Sequence, residues 1–364
     1  MDDLTTRDDA RVLTEIPRIS PAPVYEPEIV APAGARAAAA FTPLNFGLFV
    51  LTLLTTTMAG ADMAGAYVSI THPFATFANL AAGLTFSIPL MAILLSHEMG
   101  HFVMARRHKV DVTAPYFMPA PFPSFFFVGT FGAFIKMKSP PRTRRAMFDI
   151  GAAGPWAGVV VAILAVIIGL QLSQVAPLDT SGGGLQLGNS ILFYGLSYAV
   201  LGVNPNSVNI NLNAIAFAGW IGLLVTTLNL LPVGQLDGGH VVYALFGRWH
   251  RMISRLFIVA CVLMVVVPLA MGSTYWGGWL FWVVLLLFLG LGHPASVDAE
   301  TPLDPKRRVM AWATVALFIL TFSPVPAWYA PPTGPPQPRN ENVYSVSYRT
   351  PAPRMPSGVR LKGL

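Results

Sequence analysis

Two histidines four residues apart bracket a glutamate in His97-Glu98-Met99-Gly100-His101. On an α-helix, positions i and i+4 share a face, so the two imidazoles can hold one metal ion between them. Glu98 lies about 100° round from His97, where its carboxylate can reach a metal-bound water without ligating the metal. The chemistry such a set supports is metal-assisted hydrolysis. Catalytic zinc sites usually take three protein ligands and leave one position for water, so a third ligand must come from elsewhere in the chain. Asp237 is the best candidate, in Asn229-Leu-Leu-Pro-Val-Gly-Gln-Leu-Asp-Gly-Gly-His240. Its alternative is a structural role, accepting hydrogen bonds in a turn.

The elements that must position these residues are apolar. Hydrophobic residues make up 54% and charged residues 11% of 364 positions, against about 25% charged in an average soluble domain. This composition describes a polytopic membrane protein. Spans of about 20 apolar residues are expected near 44–61, 77–104, 147–172, 212–231, 253–272, 276–292 and 308–323, while 191–202 is too short to cross. The expected fold is all-α: a bundle of six to seven transmembrane helices with a short β-rich or irregular segment near the site. The first motif closes the apolar run Phe77 to Leu95, and an ionisable cluster at membrane depth marks function. Pro232, Gly234, Gly238 and Gly239 break the helix before Asp237, and such backbone is tolerated in a membrane only where it is buried or lines a water-filled cavity. Residues 1–43 are expected to form a disordered cytoplasmic leader without a signal peptide, 44–325 the membrane domain, and 326–364 a disordered Pro- and Arg-rich tail.

The net charge of +6 orients the chain and calls for no nucleic-acid partner. The 23 Lys and Arg residues fall in the N-terminal arm, in 105–146, around Arg248 to Arg255, at Lys306 to Arg308 and in the tail, with none in 61–76, 171–211 or 272–278. By the positive-inside rule the basic loops face the cytoplasm, which puts His97 and His101 toward the cytoplasmic end of the second span. Seven full crossings would leave the basic tail outside, so either the last segment does not cross or the tail is an exception. Cys261, the single cysteine, supplies no disulfide framework and no thiolate metal site.

The paired motifs resemble those of the site-2 protease family of intramembrane zinc metalloproteases: His97-Glu98-x-x-His101 and Asn229-x-x-Pro-x-x-x-Leu-Asp237-Gly, with a weaker match at Gly151-Ala-Ala-Gly154-Pro155-Trp-Ala-Gly158. Pro115 to Pro119, Gly129 to Phe134 and Gly292-His-Pro294 are similar to the branch that holds the plant ethylene-dependent gravitropism-deficient and yellow-green proteins. The resemblance covers roughly 44–325. It implies one zinc per chain on His97, His101 and Asp237, water activation by Glu98, and a role for Asn229 in steadying substrate or the developing oxyanion, or else in an interhelical hydrogen bond. It further implies regulated cleavage of a single-span membrane protein within the lipid bilayer.

A transmembrane substrate hides its scissile carbonyl in its own helix and must unwind, so an extended enzyme strand could capture the opened segment. The run Phe125 to Met137, with Gly129, Phe131 and Gly132, is the candidate edge; an interfacial loop is the other reading. Gly151, Gly154 and Gly158 form a small-residue face that predicts close helix packing in preference to a direct part in the site. His240 is assigned no ligand role, and His72, His108, His250 and His293 are expected to be interfacial or structural. The competing functions are a non-cleaving membrane scaffold and a metal or proton transporter. An acid-containing N-terminal arm favours a prokaryotic plasma membrane over an organelle.

Overall fold

The computed structural model describes residues 41–66, 73–120, 128–177, 184–272, 276–290, 302–330 and 347–348. Nine α-helices occur among these residues: α1 (Pro43–Met63), α2 (Pro73–Arg107), α3 (Arg144–Gln171), α4 (Ile191–Leu201), α5 (Ala214–Asn229), α6 (Asp237–Phe246), α7 (His250–Ala270), α8 (Gly278–Leu289) and α9 (Pro305–Thr321). Four stretches are long and apolar enough to cross a membrane: Pro43–Met63, Leu80–Arg107, Arg144–Gln171 and Asp237–Ala270. The last bends at Gly247 (φ 54°), and Ser254 Oγ donates to the Pro232 carbonyl, so the start of α7 returns to the segment that precedes α6. The protein is a polytopic helical membrane protein. Helices α5 and α8 are shorter than an ordinary span.

Helix starts follow local chemistry. Thr42 caps α1 in a reciprocal box with Asn45, with Pro43 at the first position; Thr143 caps α3 and Asp304 caps α9. These side chains satisfy amides that have no partner inside the helix. The expected leader lies outside the described residues over 1–40, and its last two residues already belong to the start of α1.

Lipid is as apolar as leucine, so helices in a bilayer gain little by burying apolar surface and associate through close packing. Helix α3 is the hub. Its Val159, Ala162 and Val166 are buried with Phe86, Leu90 and Ile93 of α2 and with Phe217 and Ile221 of α5. Missing side chains set the spacing: a Cβ on Gly100 would lie 2.5 Å from the Ala153 carbonyl oxygen, and one on Gly219 2.7 Å from the Val166 amide.

Helix α9 runs parallel to α3 and in register with it. Arg307 pairs with Asp149, and Trp156 Nε1 donates to Thr314 Oγ1, both across a separation of 158 residues. Strand β4 (Gly184–Leu187) follows α3 and pairs antiparallel with β6 (Ala327–Ala330), which follows α9; β7 (Ser347–Tyr348) lies parallel on the other side of β4. This corrects the expected tail, because 327–330 is a strand. Its Ala-Trp-Tyr-Ala sequence suits one, and β4 offers the ladder. Residues 331–346 and 349–364 lie outside the described residues.

Two further ribbons occur. Strand β3 (Gln174–Pro177) pairs antiparallel with β5 (Val208–Asn211). Strand β1 (Tyr116–Pro119) pairs antiparallel with β2 (Thr130–Phe134), and this ribbon rests on α1. Asn45 Nδ2 donates to the Ala114 and Pro115 carbonyls near the start of α1. Gly129 (φ 76°) sits against the backbone of Thr55 and Thr56. Ten residues of helix separate these contacts, about 15 Å, so the ribbon climbs into the depth of the bundle.

Candidate metal centre

Helix α2 is 35 residues long and ends in Arg106 and Arg107, which places His97 and His101 roughly 9–15 Å from that basic end at 1.5 Å per residue. Both histidines and Glu98 are buried, at 5%, 8% and 5% exposure. Asp237 arrives from the far side as the first residue of α6, where the 230–236 segment ends.

The three side chains meet. His97 Nε2 and His101 Nε2 are 3.0 Å apart, and each is 3.3 Å from Asp237 Oδ2. Ligand atoms bonded at about 2.0–2.1 Å to a tetrahedral ion are separated by about 3.3 Å, so the triangle has the size of one face of such a site. The donor chemistry agrees. His101 Nδ1 is 2.8 Å from the Ile150 carbonyl oxygen; a carbonyl can only accept, so Nδ1 carries the proton and neutral Nε2 presents a lone pair. That lone pair converges with a second imidazole and a carboxylate oxygen, a donor set that suits a metal cation. An imidazole held by a carbonyl on its far nitrogen is also the usual arrangement of a metal-bound histidine.

Asn229, the last residue of α5, brings Nδ2 to 3.2 Å from His97 Nε2. A nitrogen that ligates a metal has no lone pair left to accept this bond, which frees the amide to donate beside the centre. The backbone amide of Ile135, just past β2, donates to the Glu98 carboxylate. The candidate substrate strand is thus brought to the candidate base. Phe131 is the residue skipped by the β1–β2 pairing, which passes from Met118–Gly132 to Pro119–Thr130, and Gly132 (φ 102°) has open space where a side chain would be. Residues 125–127 of the expected edge lie outside the described residues.

The glycine face of α3 does pack closely, and what it packs against are the two ligand histidines and His240. A Cβ on Gly154 would overlap the His101 ring, one on Gly158 would lie 3.1 Å from His97 Cβ, and one on Gly151 2.7 Å from His240 Cβ. Sequence reasoning missed the Ile150 carbonyl, because a backbone acceptor leaves no mark in residue type. It also missed the ion pairs of Asp149 with His108 and Arg307, for which an acid in the first turns of an apolar helix was the available signal. His72 and His293 lie outside the described residues.

The family model for peptidase family M50 matches residues 85–273, just over half of the chain and the whole of the constellation from His97 to Asp237. The chain belongs to peptidase family M50. The proteins it is similar to include the probable zinc metalloprotease EGY1, chloroplastic, of Arabidopsis thaliana, 30% identical over 67% of this chain and 43% of that protein. The probable zinc metalloprotease EGY2, chloroplastic, of the same plant is 28% identical over 86% of this chain and 52% of that one. The probable zinc metalloprotease EGY3, chloroplastic, of Oryza sativa subsp. indica is 27% identical over 78% and 49%. The M50 chain described here spans about half the length of these curated relatives. No solved structure matches it.

Proposed function

We propose that this chain is a zinc-dependent intramembrane endopeptidase that hydrolyses peptide bonds within or near the transmembrane segment of a single-span membrane protein. The observation that carries the reading is the convergence of His97, His101 and Asp237 on one point, beside buried Glu98, in a bundle of apolar helices. His97, His101 and Asp237 would hold the ion. Zinc, when bound, supplies a Lewis acid that polarises the scissile carbonyl and lowers the pKa of water toward about 7.

Glu98 takes the proton of the attacking water and passes it to the leaving amine. The Ile135 amide orients the Glu98 carboxylate for that exchange. Asn229 donates to the oxyanion that develops on the substrate. The edge of β2 that faces away from β1 receives the unwound substrate as an added strand, so that its carbonyls pass Glu98 in extended form.

In the bilayer we read seven crossings: α1, α2, α3, α5 with α6, α7, α8 and α9, with α4 lying at the interface. The basic ends of α2, α3 and α9 face the cytoplasm, and the metal centre lies nearer that face. The parallel course of α3 and α9 supports a last crossing, which would leave residues after 322 on the opposite side. We read the membrane as a prokaryotic plasma membrane from the acid content of residues 1–40, seven Asp and Glu beside four Arg; the plant relatives named above are chloroplastic.

The test is zinc analysis and cleavage of a model transmembrane peptide in detergent, wild type against Glu98→Gln. About one zinc in both, with cleavage inside the apolar segment by wild type alone, supports the proposal. Wild-type protein free of metal after zinc loading would overturn it.

A further inference from the structure

Helix α9 lies beyond the residues that the family match covers, yet it packs on α6, which carries Asp237, and on α3, which carries the Ile150 carbonyl. Leu303 and Ala311 are buried with Phe148 and Ala152 of α3 and with Val241 and Ala244 of α6. Its first turn carries Arg307, whose Nε is 2.9 and 3.0 Å from Asp149 Oδ1 and Oδ2 and whose Nη2 is 2.7 Å from Oδ2. Arg307 Nη1 also reaches Asp304, the cap of α9, at 2.5 Å, and holds the Asp304 carboxyl below the usual carboxylate range. His108 Nε2, one residue past the end of α2, reaches Asp149 Oδ2 at 2.7 Å.

One carboxylate therefore ties together the basic ends of α2, α3 and α9. It is also the immediate neighbour of Ile150, whose carbonyl fixes the His101 ring. A planar guanidinium engaging a carboxylate through two nitrogens sets orientation as well as distance. Asp149 is mostly buried, so losing Arg307 would leave a desolvated charge with one histidine partner, and the start of α3 would have to move to rehydrate it.

We infer that Arg307 is a positioning residue for the metal centre, acting through Asp149 and the Ile150 carbonyl to hold His101 in its ligating orientation. This rests on the proposed zinc site. It makes α9 part of the working enzyme instead of a helix appended to it.

The experiment follows the rate of zinc loss from full-length protein in detergent against excess chelator, with the melting temperature of the metal-free form measured in parallel. The variants are Arg307→Met, which keeps the apolar stem, Arg307→Lys, which keeps the charge without the planar fork, and Lys306→Met, an exposed neighbour. The expected result is loss roughly tenfold faster for Arg307→Met, since altered outer partners of ligands cost about 10–100-fold in metal affinity. Arg307→Lys should fall between it and wild type, Lys306→Met should match wild type, and the metal-free melting temperatures should agree within a few degrees. Zinc retention by Arg307→Met equal to wild type overturns the inference. So does faster loss matched by a large fall in the metal-free melting temperature, which would mark Arg307 as merely structural. A wild type that binds no zinc would instead remove the proposed function on which the inference stands.

Discussion

Gly154→Ala adds one methyl group at the most sensitive contact between α3 and α2. The added Cβ would lie 2.5 Å from both Cδ2 and Cε1 of His101, with Nε2 nearer still. Ordinary carbon contacts begin near 3.4 Å, so the ring must retreat by roughly 1 Å. It cannot rotate away without breaking the 2.8 Å bond from Nδ1 to the Ile150 carbonyl, so the helices must part instead. A displacement of about 1 Å in a reacting constellation costs on the order of 100-fold in rate, while Ala in place of Gly favours the helix itself by about 1 kcal/mol.

The expected profile is therefore specific: cleavage down by roughly 100-fold and zinc held more weakly, with a smaller fall in the metal-free melting temperature than a clash against backbone gives. Gly169→Ala is the matched control, because its Cβ would meet the backbone of Ala216 in α5, well along α3 from the ligands. It should lower the melting temperature while leaving zinc stoichiometry near one. Gly195→Ala, with nothing within 4 Å, should change neither. If Gly154→Ala and Gly169→Ala show the same balance of lost stability and lost zinc, then Gly154 serves packing in general and the argument from the His101 ring is wrong.

Phe131→Pro should cut cleavage while zinc content stays near one, because Phe131 is skipped by the β1–β2 pairing; equal losses of both, by metal analysis on the same samples, would remove the strand-capture role. Asn229→Ala should lower kcat by roughly 10²–10³ with zinc retained, the usual cost of removing one oxyanion donor. An unchanged kcat with a lower melting temperature would make Asn229 an interhelical tie. The stabilising contact of Asp304 with Arg307 holds its carboxyl below its ordinary value of 3.8; that contribution is present above the unfolded pKa and lost as pH falls through the lower folded one. The melting-temperature gap between wild type and Asp304→Asn should accordingly close on acidification below about pH 4, and a gap that persists would assign it to capping alone.

What was legible in the sequence was what local spacing encodes. The i, i+4 histidines, the broken segment before Asp237 and the long apolar runs each announce themselves within a dozen residues, and the glycine pattern announced a close helix contact. The partner in that contact was not legible, since nothing in Gly154 says which ring fills the space. Nor was α9 legible as a companion of α3, because the pairs that align them are 158 residues apart. Strand β1 escaped because Pro115 precedes it and Pro119 ends it, and proline argues against an interior strand. It is held at the edge of a two-stranded ribbon instead. The expectation of an unpacked tail failed at 327–330 for a similar reason, as helices α4 to α9 separate it in the chain from its partner β4.

Two stretches of non-helical backbone enter this bundle, and they satisfy their polar groups differently. The segment 230–236 closes on itself: the Val233 amide donates to Leu231, Leu236 to Val233 and His240 to Leu236. Gly238 and Gly239 let the carbonyls of Leu230 and Gly234 come against the first turn of α6. Among the described residues β2 has only β1 as a strand partner, and amides alternate sides along a strand, so about half of its backbone groups face away from the ladder. Unpaired backbone at membrane depth must line water or wait for a partner. Hydrogen exchange distinguishes the two segments. The amide of 133–134 that faces away from β1 should exchange rapidly in free protein and slow by at least tenfold when an extended apolar peptide is bound to Glu98→Gln, whereas the amides of Val233, Leu236 and His240 should be protected throughout. Equal protection of both segments without peptide would mean that the β2 edge is already satisfied within the fold, and the site would then need another way to hold an unwound substrate beside Glu98.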